Sequence, residues 1–234
     1  FGGDFRRAGR YDGGRHSRPR GAAARGKQRP ELAAGALGLG LLRLALAAAR
    51  LRSLAQPYFR ALEKIRRSPD SLAEIQRDFL TSLLPALGYT LSPTWLALGH
   101  GTAAARIPLI GEVTTQSGAP VLWLVEVLPV GHSDDDLATD PLALTPLPSQ
   151  FAADPQHLNP QLPGKPAAAD RTWEDILSKD IFGLDEPPRW VIFVSFGQMV
   201  LCDRMKWVER RFLSFDLREL FNRREDLSFR ATAA

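Results

Sequence analysis

Apolar residues recur every three or four positions between residues 54 and 84. Leu54, Tyr58, Leu62 and Ile65 form one set, and Leu72, Ile75, Phe79, Leu80, Leu83 and Leu84 form a second. That period puts each set on one face of a helix. Ser68-Pro69-Asp70-Ser71 stands between them, where Pro69 fixes the turn and the flanking hydroxyl and carboxylate residues suit a helix start. Gly88 follows the second set as a C-terminal cap. The pattern predicts two antiparallel helices.

From Tyr89 the period shifts toward strands. Ala105–Val113 is one candidate, and Gln116-Ser117-Gly118-Ala119-Pro120 is a turn. Val121–Val127 is a second strand, apolar enough to be buried on both faces. Residues 131–170 hold an acidic turn and many prolines, and are expected to be a long mobile loop. A helix is expected around Thr172–Lys179. Arg189–Val194 and Met199–Asp203 then read as two strands joined by a tight turn at Gly197-Gln198. Lys206–Phe215 reads as a connection and Asp216–Arg224 as a closing helix. The order helix, helix, strand, strand, helix, strand, strand, helix predicts an α/β fold, a small mixed sheet flanked by helices.

Charge divides the chain unevenly. Residues 1–52 carry twelve Lys/Arg against three Asp/Glu, a net of +9, which leaves the remaining 182 residues at −5. The computed pI of about 9.6 therefore belongs to the first fifth of the chain. Residues 1–31, rich in Arg, Gly and Ala, offer almost nothing to a core and are expected to be disordered. They read either as a basic arm neutralising phosphates or as an unselected extension. Residues 32–52 suggest an Ala/Leu helix. Arg43 and Gly35, Gly38 and Gly40 argue against a membrane span there. The main domain is thus expected at 53–234, with residues 1–50 dispensable for folding.

Cys202 is the one cysteine, so no intramolecular disulfide can form, as suits a reducing cytoplasm. His16, His100, His132 and His157 are scattered, and zinc-binding spacing is absent.

One spaced pattern is distinctive. It runs Phe79-Leu80, Leu83-Leu84-Pro85-Ala86-Leu87-Gly88-Tyr89, Trp173-Glu174 and Pro187-Pro188-Arg189-Trp190-Val191-Ile192. It continues through Leu201–Trp207, Arg211–Leu217 and Phe221–Glu225. Over residues 54–234 this resembles the N-terminal region of large bacterial adenine-specific DNA methyltransferases, of the fused restriction–modification (type IIG-like) and phage-defence class. The resemblance implies a nuclease-like domain of the PD-(D/E)xK type, in degenerate form. It also implies DNA and a downstream methyltransferase domain as partners, and S-adenosylmethionine as cofactor of the full-length protein. The Asn/Asp-Pro-Pro-Tyr/Phe pocket that takes a flipped adenine is not met by Asp185-Glu186-Pro187-Pro188. With Phe1 at its start and Ala234 at its end, the chain is expected to be a non-catalytic N-terminal fragment. It would act as a scaffold or DNA-contacting module, with no membrane partner and no cofactor of its own. Apolar surface near Phe221, Leu227 and Phe229 is expected to stay uncovered until the downstream domain buries it.

The alternative is a metal-dependent DNA endonuclease. Such an enzyme needs a carboxylate on one strand and Glu-x-Lys on the next, to hold Mg²⁺ and steer water. Glu112 and Glu126 are the candidate carboxylates, but Val127-Leu128 follows Glu126 and leaves the lysine position apolar. Arg106 is the one conceivable substitute. Active nuclease, degenerate nuclease-like scaffold and unrelated α/β accessory domain all remain open at this point. Arg204, Lys206, Arg210 and Arg211 cluster after the last strand and are the candidate nucleic-acid contacts, against a solvated connection balanced by Asp203. Trp190, Phe193, Trp207 and Phe212 read as packing residues rather than base-stacking platforms.

Overall fold

A computed structural model describes residues 45–98, 105–147, 171–223 and 232. The chain divides into two compact units, Phe1–Gly38 and Leu39–Ala234. The first unit lies outside the described residues, and with it the readings for the basic arm and for residues 32–44.

Residues 45–53 form helix α1, which leads directly into α2 (Ala55–Arg67). A short 3-10 turn at Pro69–Ser71 reverses the chain into α3 (Leu72–Leu87), which ends at Gly88 in the left-handed conformation, φ 91°. Only glycine adopts that φ without strain, so the sequence expectation for this cap is met. Strands β1 (Thr94–Leu98), β2 (Ala105–Thr114) and β3 (Pro120–Glu126) follow. The crossing segment carries α4 (Asp134–Leu137) and α5 (Trp173–Ile176), which runs on as one wide turn to Ile181. Then come β4 (Trp190–Val194), β5 (Gln198–Asp203), α6 (Arg204–Trp207), β6 (Phe212–Asp216) and α7 (Leu217–Arg223).

The six strands lie in sequence order in one sheet. All neighbours are antiparallel except β3 and β4, which are parallel. A parallel neighbour requires a crossover, and the segment with α4 and α5 supplies it. The expected α/β class with a small mixed sheet is therefore what the chain adopts. Two strands, β1 and β6, go beyond the sequence expectation. Both are edges, and β6 falls where a mere connection was expected at Lys206–Phe215.

Alternation along the strands splits the apolar residues between two cores. Leu122, Leu124, Ile192, Val194 and Met199 face the helices α1 to α3 and α7. Trp123, Val125, Val191, Phe193, Val200 and Cys202 face Trp173, Ile176, Leu177 and Ile181 of α5. Strand β3 is buried on both faces, as its composition suggested. In the first core Tyr58 stacks on Phe196 with centroids 4.9 Å apart, and Phe79 and Phe221 close the cluster at 5.5 and 5.0 Å from it.

A register shift between Leu109 and Gly111 sets the faces on which the carboxylates of β2 and β3 emerge. Ile110 is the extra residue, and beyond it Gly111 falls opposite Leu124 on the helical face that Ile110 already occupies, so Glu112 falls opposite Trp123 on the other face. Gly111 is required at the bulge, because a Cβ there would lie 2.8 Å from Thr90 O and 2.9 Å from Leu124 Cδ1.

Three expectations are corrected. Residues 131–147 are not a loop left to solvent. Ser133 and Asp136 cap α4 reciprocally, and Leu137, Pro141 and Leu142 are buried. The part of that segment from 148 to 170 lies outside the described residues. The boundary at residue 53 is too late, because Ala48 and Leu51 of α1 are buried in the first core. Finally, Phe221 is not an uncovered surface residue. It is fully buried with Leu217, packed against Tyr58 and Phe79 of this same chain. Leu227 and Phe229 lie outside the described residues.

Candidate functional site

Glu126 is the last residue of β3 and points into the helical side of the sheet, where it is 2 % exposed. Two consecutive residues of α3 converge on it. Gln76 Nε2 donates to Glu126 Oε1 at 3.1 Å and to the Val127 carbonyl at 3.0 Å. Arg77 donates to Glu126 Oε2 from Nε at 3.2 Å and from a terminal nitrogen at 2.6 Å. A buried carboxylate is tolerated only when its charge and lone pairs are met, and here both are. Gln76 is itself fully buried, and its Oε1 has no hydrogen-bond partner. Arg77, by contrast, is half exposed.

Glu112 does not join this site. It pairs with Trp123 in the β2–β3 register, and directly opposed residues share a face. Trp123 belongs to the core under α5, so Glu112 lies on the opposite face of the sheet from Glu126, and it is exposed. Continuing the register one step from Leu109 and Val125 brings Pro108, which has no ligating side chain, across from Glu126. Leu128 is buried at the position where the endonuclease pattern needs lysine. Arg106 sits on β2 opposite Ala97, with its side chain outside the described residues. The residues present therefore do not fit the shared Mg²⁺ site. Among the described residues no group of three or more His, Cys, Asp or Glu is gathered for a metal.

The cations after β5 behave differently. A groove of about 480 Å³ runs beside β6, floored by Trp190, Leu201 and Leu213 and walled by Lys206, Arg210 and Arg211. Three of the four candidate cations thus share one site, while Arg204 starts α6 and is exposed. The wall is not purely basic. Arg210 pairs with Glu174 at 2.9 Å, and Glu209 takes Arg211 at 3.2 Å and Lys206 at 3.8 Å. Asp203 is influenced by the Lys206 charge, as the sequence suggested, but its direct partner is a different cation. It holds Arg189 through two hydrogen bonds at 2.8 and 3.1 Å, and that guanidinium also lies 4.8 Å over the Trp190 ring. The Arg189 hydrogen bond keeps the Asp203 carboxyl below its ordinary range. Among the four aromatics read as packing, Phe193 is fully buried and Trp190 half-buried, but Phe212 is 39 % exposed.

Two further polar features fix the architecture. Asp134 of α4 receives Arg66 from α2 at 2.8 Å and Arg218 from α7 at 3.0 Å, and the Arg66 hydrogen bond lowers its pKa. Cys202 lies in the second core, and burial pushes its thiol up to about 12. Sequence reasoning misses Gln76, Arg77 and Asp134. Only Gln76 leaves a signal, a polar residue inside the apolar stripe of α3.

No protein-family model, curated protein or solved structure matches this chain. Among the described residues no helix is long and apolar enough to cross a membrane.

Proposed function

We propose that the chain is a non-catalytic scaffold module of a bacterial DNA-modification system, of the adenine-methyltransferase, restriction–modification or phage-defence kind. The observation that carries this reading is the state of Glu126. It ends β3 next to an antiparallel β2, which is the strand arrangement the endonuclease pattern calls for. Yet its carboxylate is committed to Gln76 and Arg77, and leucine stands at the lysine position. A catalytic carboxylate turned into a structural ion pair suits a nuclease-like sheet kept as a platform. The resemblance of residues 54–234 supplies the context, with S-adenosylmethionine and DNA handled by a downstream methyltransferase domain.

The test has two arms. Supercoiled plasmid incubated with the chain and Mg²⁺ or Mn²⁺ should stay intact, and Glu126→Ala should change nothing in that assay. Metal-dependent nicking that disappears with Glu126→Ala would instead establish the endonuclease. The reading frame that encodes the chain should continue into a Gly-rich cofactor loop and an Asn-Pro-Pro-Tyr sequence. A frame without them removes the methyltransferase context.

A further inference from the structure

The sheet has one edge that combines open backbone, exposed apolar side chains and a charged border. Strand β6 ends the sheet order and pairs only with β5 among the described residues. Leu217 N donates to Gly197 O at 2.9 Å, and this anchors the alternation of the ladder. Counting toward the N-terminus two residues at a time, Phe215 and Leu213 bond toward β5, so the N–H and C=O groups of Phe212 and Ser214 turn to the open edge. Open edges of this kind are usually blunted by a charge, a proline or a cover. Here a charge stands only at the far end, Asp216, while the exposed residues at the near end are Leu213 at 59 % and Phe212 at 39 %. Leu213 also floors the groove with Leu201 and Trp190.

We infer that this edge and groove accept an extended polypeptide segment as a seventh strand, one that alternates apolar residues with acidic ones. Backbone bonds to Phe212 and Ser214 supply attachment, and every second side chain of the added strand falls on the Leu213 side, over the groove floor. The border selects charge. Lys206, Arg210 and Arg211 stand along the groove wall, and with Arg189 these four cations exceed by one the carboxylates paired to them, Asp203, Glu209 and Glu174, an excess that favours carboxylates on the incoming segment. A nucleic-acid strand fits less well. Its bases would find Trp190 and Phe212 beside the leucines, but the outward N–H and C=O groups of Phe212 and Ser214 would stay unmet, and a polypeptide backbone satisfies both in one ladder. The inference rests on the scaffold reading only for the purpose of docking, and the two fail separately. Plasmid cleavage would overturn the scaffold, while peptide docking tests the edge.

The test selects binders from a random octapeptide display library on the full chain. The enriched class should alternate apolar residues with Asp or Glu. A synthetic peptide of that class should slow hydrogen exchange at the Phe212 and Ser214 amides. Leu213→Asn, which removes the apolar floor without adding charge, should weaken that peptide by about tenfold without lowering the melting temperature, and Val208→Asn, at an exposed residue outside the groove, should leave it unchanged. Ser214→Pro removes an outward N–H that no neighbouring strand uses among the described residues, so it should abolish docking in a folded chain. A single-stranded oligonucleotide is the counter-probe, because Leu213→Asn keeps the charge of the border and should leave any phosphate contact unchanged. The inference is overturned if no alternating class is enriched, if the selected peptide ignores both Leu213→Asn and Ser214→Pro, or if only the oligonucleotide binds and Leu213→Asn leaves it unchanged.

Discussion

Replacing Arg77 by Met should cost the fold more than replacing Glu126 by Leu, although both break the same ion pair. The asymmetry comes from burial. Glu126 is 2 % exposed on its side chain and Arg77 is 52 % exposed. Arg77→Met strips the guanidinium, with its two hydrogen bonds, from a carboxylate that cannot reach water. Orphaning a buried charge costs roughly 3–5 kcal/mol, and the low end, about 3 kcal/mol, applies because the gap left by Arg77 admits solvent. Glu126→Leu leaves Arg77 free to hydrate and Gln76 still bonded to the Val127 carbonyl. It loses charge-assisted hydrogen bonds but gains apolar burial, for a net of about 1–2 kcal/mol. The double variant has no orphaned charge, so it should resemble Glu126→Leu, with a coupling energy near the cost of Arg77→Met alone, about 3 kcal/mol. Urea unfolding of the four proteins measures all three quantities through their midpoints and slopes. A single Arg77→Met variant that is milder than Glu126→Leu, or strict additivity in the double, would refute the claim that the carboxylate is held in place by its partners.

Other perturbations probe other parts of the molecule. Leu51→Ala should destabilise by about 3–5 kcal/mol, because Leu51 is fully buried, whereas an unchanged melting temperature would return α1 to the dispensable segment. Gly197→Ala should cost about 3 kcal/mol, since a Cβ there would lie 2.0 Å from the Leu137 carbonyl oxygen; urea midpoints decide it. Cys202, held near 12 by burial with the Asp140 charge as a second cause, should react with iodoacetamide at pH 8 roughly a thousandfold more slowly in the folded chain than in urea. Rapid labelling under native conditions contradicts that burial. Asp203 has a folded pKa depressed by Arg189, so the stability this pair contributes is present above the ordinary carboxylate range and is lost as pH falls through the folded value. Arg189→Ala should therefore flatten the acid limb of the stability profile below about pH 4, and an unchanged limb in urea titrations at stepped pH would sink the assignment.

The helices and inner strands are legible in the sequence because their burial imposes a period. Leu72, Phe79, Leu80, Leu83 and Leu84 have to share a face, and Val121–Val127 has to be covered on both sides. The edges are not legible for the opposite reason. Strand β6 is exposed at Phe212, Leu213, Ser214 and Asp216, so no core demands alternation from it, and its charged approach looks like a connection. The closing helix is legible in its position but not in its neighbour. Its stripe of Leu217, Leu220 and Phe221 predicts burial without saying against what, and the partner is Tyr58 and Phe79, far earlier in the chain.

Charged residues are harder still, because a sequence displays their spacing and hides their pairing. Glu112 and Glu126 have the separation expected across a hairpin, yet one bulge at Ile110 sets Glu112 facing the α5 side, away from Glu126. Arg204, Lys206, Arg210 and Arg211 read as a basic patch until the fold brings Glu174 and Glu209 beside them. Those carboxylates reduce the pull on a phosphate backbone, whose binding grows with the number of charges neutralised. They do less harm to a peptide, which needs one or two complementary contacts and takes the rest of its attachment from backbone and apolar surface. The same cations therefore mean different things with and without their partners, and the outward backbone groups of β6 beside them favour the polypeptide.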